Sequence, residues 1–126
     1  ETASTPMLVL LQRPREYLTC TDGKRISGDS HDLLCRQYAS GSASKTLAGT
    51  ITATTGIACN LQGTIPAQLC GGNVARPLAF GHPSGLIHVD ASVKRLDGDW
   101  HVERAGILRT ARRLAEGKAY LRGADM

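Results

Sequence analysis

Three short stretches carry side chains that could handle an anionic substrate. Residues 39–45, Ala-Ser-Gly-Ser-Ala-Ser-Lys, gather serine hydroxyls around a glycine. At a helix start this stretch would be an anion cradle. Ser40, Gly41, Ser42 and Ser44 would offer hydroxyls and approachable main-chain N–H groups at the positive end of the macrodipole, with Lys45 beside them. An ordinary serine N-cap with nothing bound is the plainer alternative. Gly81-His82-Pro83-Ser84-Gly85 could present His82 as an acid/base group and Ser84 as a donor. A tight turn between strands calls for the same residue types. Arg109-Thr110-Ala111-Arg112-Arg113 sets three guanidinium groups within five positions. That pattern suits bidentate carboxylate binding, nucleic-acid contact or a solvated basic face.

Other chemistries find less support. Cys20, Cys35, Cys59 and Cys70 form no C-x-x-C pair, and the four histidines form no H-x-x-x-H pair, so no metal site is expected. Reduced thiols are the default reading, with Cys59 a small buried hydrophobe. Aromatics are 4% of the chain, which leaves little for a base-stacking platform. The longest apolar run, Met7 to Leu11, is far too short to span a membrane, and no signal-peptide pattern opens the sequence. A cytoplasmic location is the expectation. The formal net charge of +4 is uneven: residues 94–126 carry eight basic and five acidic groups. An anionic partner fits, and a small carboxylate serves as well as nucleic acid.

The elements that must position these groups can be read from periodicity and turn signals. With 126 residues, 41% hydrophobic, the chain reads as one domain, residues 1–126, with a packed core. Met7 to Leu11 predicts a strand stopped at Arg13-Pro14, and Thr21-Asp22-Gly23-Lys24 a turn. Leu33 to Tyr38 reads as a second strand. Leu47, Ile51, Thr54, Ala58 and Leu61 recur at helical spacing, predicting a helix from about Ser44 to Leu61 capped by Ser42 or Ser44. Its threonines favour strands, so it requires tertiary support. Gly63 to Pro66 stops it and Cys70 to Asn73 is a loop. Hairpins follow: strands Ala75–Phe80 and Leu86–Val93, the turn Asp97-Gly98-Asp99, and a strand from Trp100 to Leu108. Residues 109–114 are ambiguous, and Lys118 to Leu121 reads as a last short strand. The class is α+β, an antiparallel sheet wrapped around one central helix.

Together, Gly81-His82-Pro83-Ser84-Gly85, Trp100 and the run from Arg109-Thr110-Ala111-Arg112-Arg113-Leu114 through Glu116-Gly117-Lys118 resemble the C-terminal end of the PrpF family. That family includes methylaconitate isomerases and oxalomesaconate tautomerases, with the diaminopimelate-epimerase fold. Pro6 to Leu11 and Gly49 to Ile65 resemble a family strand and its central helix. The resemblance implies a two-lobed relative, each lobe a sheet around a helix, with substrate between the two helix N-termini. It implies a proton shift in an unsaturated di- or tricarboxylate of the aconitate type, without metal or organic cofactor, in which N–H groups stabilise developing charge.

The family's proposed catalytic lysine and cysteine belong to its first lobe. The resemblance therefore carries no catalytic role onto Lys45 or any of the four cysteines. Before the second central helix the family reads approximately Ser-Met-Gly-Lys-x-His-Lys, where this chain has Ala39 to Lys45. Gly41 and Lys45 agree; Ser44 stands in place of the histidine. The expectation is a PrpF-like lobe that binds a small polycarboxylate and pairs with a second copy or a missing N-terminal lobe. A basic module for nucleic acid or an acidic protein is the alternative.

Overall fold

The computed structural model describes residues 7–71 and 76–118. β1 (Leu8–Gln12) ends where Arg13-Pro14 interrupts the ladder. A small hairpin of β2 (Tyr17–Leu18) and β3 (Arg25–Ile26) follows. The Thr19 hydroxyl holds its turn, donating to Asp22 at 2.5 Å and accepting from the Lys24 N–H at 2.8 Å. β4 (Leu33–Ala39) lies antiparallel to β1 and to the short β5 (Ser42–Ala43). Two helices come next, α1 (Gly49–Asn60) and α2 (Ile65–Leu69). The chain then runs through β6 (Leu78–His82), β7 (Gly85–Leu96) and β8 (Asp99–Leu108). No helix among the described residues is long and apolar enough to cross a membrane.

The main sheet has the order β1-β4-β6-β7-β8, with β5 attached to β4. An all-antiparallel sheet is the expectation from sequence, but β4 and β6 are parallel. The connection between them contains both helices, and a parallel pair requires a crossover of this kind. The architecture is therefore mixed α/β, a curled sheet with two helices rather than one. α2 forms because the Thr64 hydroxyl accepts the Ala67 N–H at 3.3 Å and Pro66 sits in the first turn.

Alternate side chains of the sheet point at α1. Leu33 and Cys35 of β4, Leu78 and Phe80 of β6, and Val89 and Ala91 of β7 close around Cys59 and Leu47. Val9, Leu11 and Ile107 pack at the margins of this core. The β2–β3 hairpin covers part of the other sheet face. Its Tyr17 hydroxyl donates to the Gly85 carbonyl at 2.6 Å, and the Cys20 N–H donates to the Pro83 carbonyl at 2.7 Å.

The expected helix start at Ser44 is corrected: α1 begins five residues later, at Gly49. Ser40 (φ 53°) and Gly41 (φ 75°) both adopt left-handed backbone, the requirement of a two-residue hairpin, so the chain folds back as β5. Ser42 and Ser44 cap nothing; the N-cap is Ala48, with no side-chain cap. The Ser44 N–H donates to the Gln37 carbonyl at 2.8 Å, and the Ala48 N–H donates to the buried Gln37 side-chain oxygen at 2.7 Å.

The buried helix face is corrected too. It is Thr52, Thr55, Gly56, Cys59 and Asn60, with Thr54 exposed to solvent. Close approach to the sheet selects small residues there. The Thr52 hydroxyl donates back to the Ala48 carbonyl at 2.9 Å, which satisfies it inside the core. Strand β6 starts at Leu78 rather than Ala75. Gly72, Asn73 and Ala75, and residues 119–121 of the expected last strand, lie outside the described residues; Lys118 and residues 109–114 belong to no regular element.

Candidate functional site

Beside the N-terminal end of α1 the surface opens into a cleft of about 290 Å³. Thr46 and Leu47, the residues leading into α1, line it together with Arg109 and Thr110, just past the end of β8. His82 and Leu86, at the β6–β7 turn, are also part of its lining. Two stretches singled out from the sequence thus meet here: the Gly81–Gly85 turn and the start of the arginine run. Ser40, Gly41 and Ser42 do not join them, since they form the β4–β5 hairpin tip. Lys45 is connected to the cleft through its main chain.

The turn itself is tighter than Gly81–Gly85. His82 pairs with Gly85, leaving Pro83 and Ser84 as the loop. The Ser84 hydroxyl donates to the Lys45 carbonyl at 2.7 Å, tying the turn to the segment that enters α1. The Ser84 N–H donates to His82 Nδ1 at 3.2 Å. Nδ1 as acceptor assigns the proton to Nε2. Burial holds the His82 pKa below the ordinary histidine value, so the ring stays neutral near pH 7. These bonds make His82 and Ser84 the clasp that fixes the approach to α1.

Chemically, the cleft offers a guanidinium at Arg109, hydroxyls at Thr46 and Thr110, and the uncapped first turn of α1 close to Leu47. This set can recognise carboxylate, and the exposed imidazole of His88 also lines the cleft. Sequence reading missed Thr46, Leu47 and Thr110. The Ser40-Gly41 dipeptide, a turn signal, was the available clue that the helix must begin later than Ser44. A second groove of about 460 Å³, lined by Pro77, Ile107 and Leu108 among others, is largely apolar.

The fold has counterparts. The "PrpF protein" family model matches residues 1–122. A 3-methylitaconate isomerase of Eubacterium barkeri is 38% identical over 122 residues, covering 96% of this chain and 31% of that protein. A 2-methyl-aconitate isomerase of Cupriavidus necator is 33% identical over 113 residues, covering 90% of this chain and 28% of that one. The crystal structure of a methylitaconate-delta-isomerase superposes with a TM-score of 0.69 at 32% identity, covering 84% of this chain and 30% of that one. The chain therefore spans less than a third of the length of these relatives. The family model runs from the first residue past every residue that lines the cleft, and on that ground the chain belongs to the PrpF family.

Proposed function

We propose that this chain supplies the carboxylate-binding part of an isomerase that shifts a proton in an unsaturated di- or tricarboxylate. The sheet curled around α1 corresponds, in this reading, to one lobe of the diaminopimelate-epimerase fold. The observation that carries the proposal is the cleft joining Arg109 to the entry of α1, in a chain similar to isomerases named for methylitaconate and methyl-aconitate. Arg109 pairs with a substrate carboxylate while the first-turn N–H groups of α1 face the charge that develops when a proton leaves a carbon beside it. His82 and Ser84 hold the Lys45–Leu47 segment in place for that contact. In the family this chain resembles, the proposed catalytic lysine and cysteine lie in the first lobe, so in this reading the proton acceptor comes from protein beyond this cleft, and the chain alone binds without efficient turnover.

The test is an NMR titration of the labelled chain with cis-aconitate, trans-aconitate and methylitaconate in ordinary water, with a parallel sample in heavy water to follow substrate exchange. Shifts are expected at the amides of Thr46 to Ile51 and of Thr110, with little loss of substrate C–H signal. Arg109→Ala removes a charge-assisted hydrogen bond of about 1.5–3 kcal/mol, so Kd rises about tenfold or more. An Arg109→Ala chain that binds as tightly as the parent, or shifts confined to other surfaces, refutes the site. Rapid exchange catalysed by the chain alone refutes the division of labour.

A further inference from the structure

The end of α1 away from the cleft holds a pair of thiols that the carboxylate-binding reading does not use. Cys59 lies in the last turn of α1 and is fully buried; Cys70, at the C-terminal cap of α2, is half-buried. Their sulfurs are 3.2 Å apart, a gap that small side-chain rotations can close to bonding distance. The backbone joining them is already set. The Thr64 hydroxyl makes hydrogen bonds of 2.6 Å and 2.9 Å to the Ala58 and Leu61 carbonyls, folding α2 back against α1.

The two thiols are unequal in the way an exchange reaction requires. Their hydrogen bond lowers the Cys70 pKa and, together with burial, raises that of Cys59. Cys70 is the partner that solvent reaches, and its thiol ionises more readily than that of Cys59. Cys35, buried in β4, has its pKa pushed up to about 12 by burial and stays inert. Cys20 is exposed on the β2–β3 side of the molecule, with its sulfur 3.9 Å from the Ser84 hydroxyl.

We propose that Cys59 and Cys70 are a reversible redox modification site, closed to an intramolecular disulfide by exchange with a low-molecular-weight disulfide. The Cys70 thiolate attacks one sulfur of oxidised glutathione, forming a mixed disulfide and releasing one glutathione thiolate. Cys59 attacks the Cys70 sulfur and passes its proton to the glutathione thiolate that departs, forming the protein disulfide and releasing the second glutathione as a thiol. Two protein thiols are oxidised while one glutathione disulfide is reduced to two thiols. The bridge clamps α2 to the end of α1, roughly 15 Å along the helix axis from the cleft.

The test uses the folded chain and oxidised glutathione, followed by an iodoacetamide quench in denaturant and tryptic mass spectrometry. The fragment from Thr46 to Lys94 contains Cys59 and Cys70 but neither other cysteine, and Arg76 resists cleavage because Pro77 follows it. Both alkylations of that fragment are expected to disappear together on oxidation and to return after dithiothreitol. The oxidised chain is expected to melt several degrees higher, because the bridge restricts the unfolded chain, while its affinity for aconitate is unchanged. Cys59→Ser is expected to stop at the first step, with glutathione held on Cys70; Cys20→Ser is expected to behave as the parent. The proposal falls if the fragment stays doubly alkylated at glutathione levels that modify Cys20. It falls equally if glutathione remains on Cys70 in the parent chain, or if Cys70 bridges to Cys20 or Cys35. The parent chain decides these outcomes even if the serine variant fails to fold.

Discussion

At the scale of single residues, two buried histidines tie stability to pH. His31 sits beneath the β2–β3 hairpin, edge-on to the Tyr17 ring at a centroid distance of 5.7 Å. Its Nδ1 lies 3.1 Å from the Ser27 carbonyl, and its Nε2 has no partner. Burial lowers the pKa of His31 and of His82; the neighbouring Asp32 opposes this at His31, and Arg36 adds to it at both rings. As pH falls below about 6.5 the unfolded chain takes up protons that the folded chain refuses. The stabilisation is thus complete above that pH and is lost as pH drops through the lowered folded values. For Asp32, burial is outweighed by the Arg76 guanidinium and the Ala79 N–H, so its pKa is lowered. Its contribution is lost only further into acid, below the usual carboxylate range. The urea midpoint is expected to be lower at pH 5.5 than at pH 7.5, and His31→Phe should flatten part of that fall. The Ser27 carbonyl keeps the Ser30 N–H and hydroxyl in that variant. Equal midpoints at the two pH values refute the argument. His82 was visible in the sequence because a Gly-His-Pro-Ser-Gly turn is a local signal. His31 was not, because its burial depends on β2 and β3 folding across the sheet.

At the scale of elements, α1 shows how far periodicity reads and where it stops. A spacing of three or four identified a helix in this region, but the pattern of Leu47, Ile51, Thr54, Ala58 and Leu61 chose a face whose Thr54 is exposed. The face against the sheet is the one with the smallest side chains. A Cβ at Gly56 would lie 2.6 Å from Val89 Cγ2 and 3.1 Å from Val89 Cγ1. Val89 is fully buried and β-branched, so it has no free rotamer to retreat into. Gly56→Ala gains up to about 1 kcal/mol of helix propensity, against an overpacking cost of about 1–3 kcal/mol. A net loss of about 1–2 kcal/mol is expected. Val89→Ala opens the space, so the double variant should be more stable than the sum of the single effects predicts. Strict additivity in urea unfolding shows that helix and sheet do not meet at this point. The hairpins, by contrast, were legible: Asp97-Gly98 fixes the β7–β8 turn through its own backbone, with φ values of 51° and 92°. The parallel β4–β6 pair was not, because its register depends on the whole crossover rather than on any local run.

At the scale of the whole molecule, the sheet ends in a long strand paired on one side alone among the described residues. β8 occupies the end of the strand order and carries exposed apolar side chains, with Trp100 43% and Val102 55% accessible. Leu96 and Leu108 add to this exposed apolar surface. Monomeric proteins usually cover or charge such an edge, and here the Lys94–Glu103 pair at 2.8 Å is a modest deterrent. The relatives are more than three times as long, so the family architecture places more protein around a unit of this size. Expressed by itself, the chain is expected to cover β8 with a second copy. Sedimentation should show a mass rising towards the dimer at high micromolar concentration. Trp100→Lys combined with Val102→Lys puts unpaired cations on that face and should restore the monomer, with the circular dichroism spectrum unchanged. Both side chains are at the surface, so the double variant tests association rather than folding. A parent chain that stays monomeric throughout the high micromolar range refutes the pairing, and the exposed apolar strand then belongs to a contact with a different segment of protein.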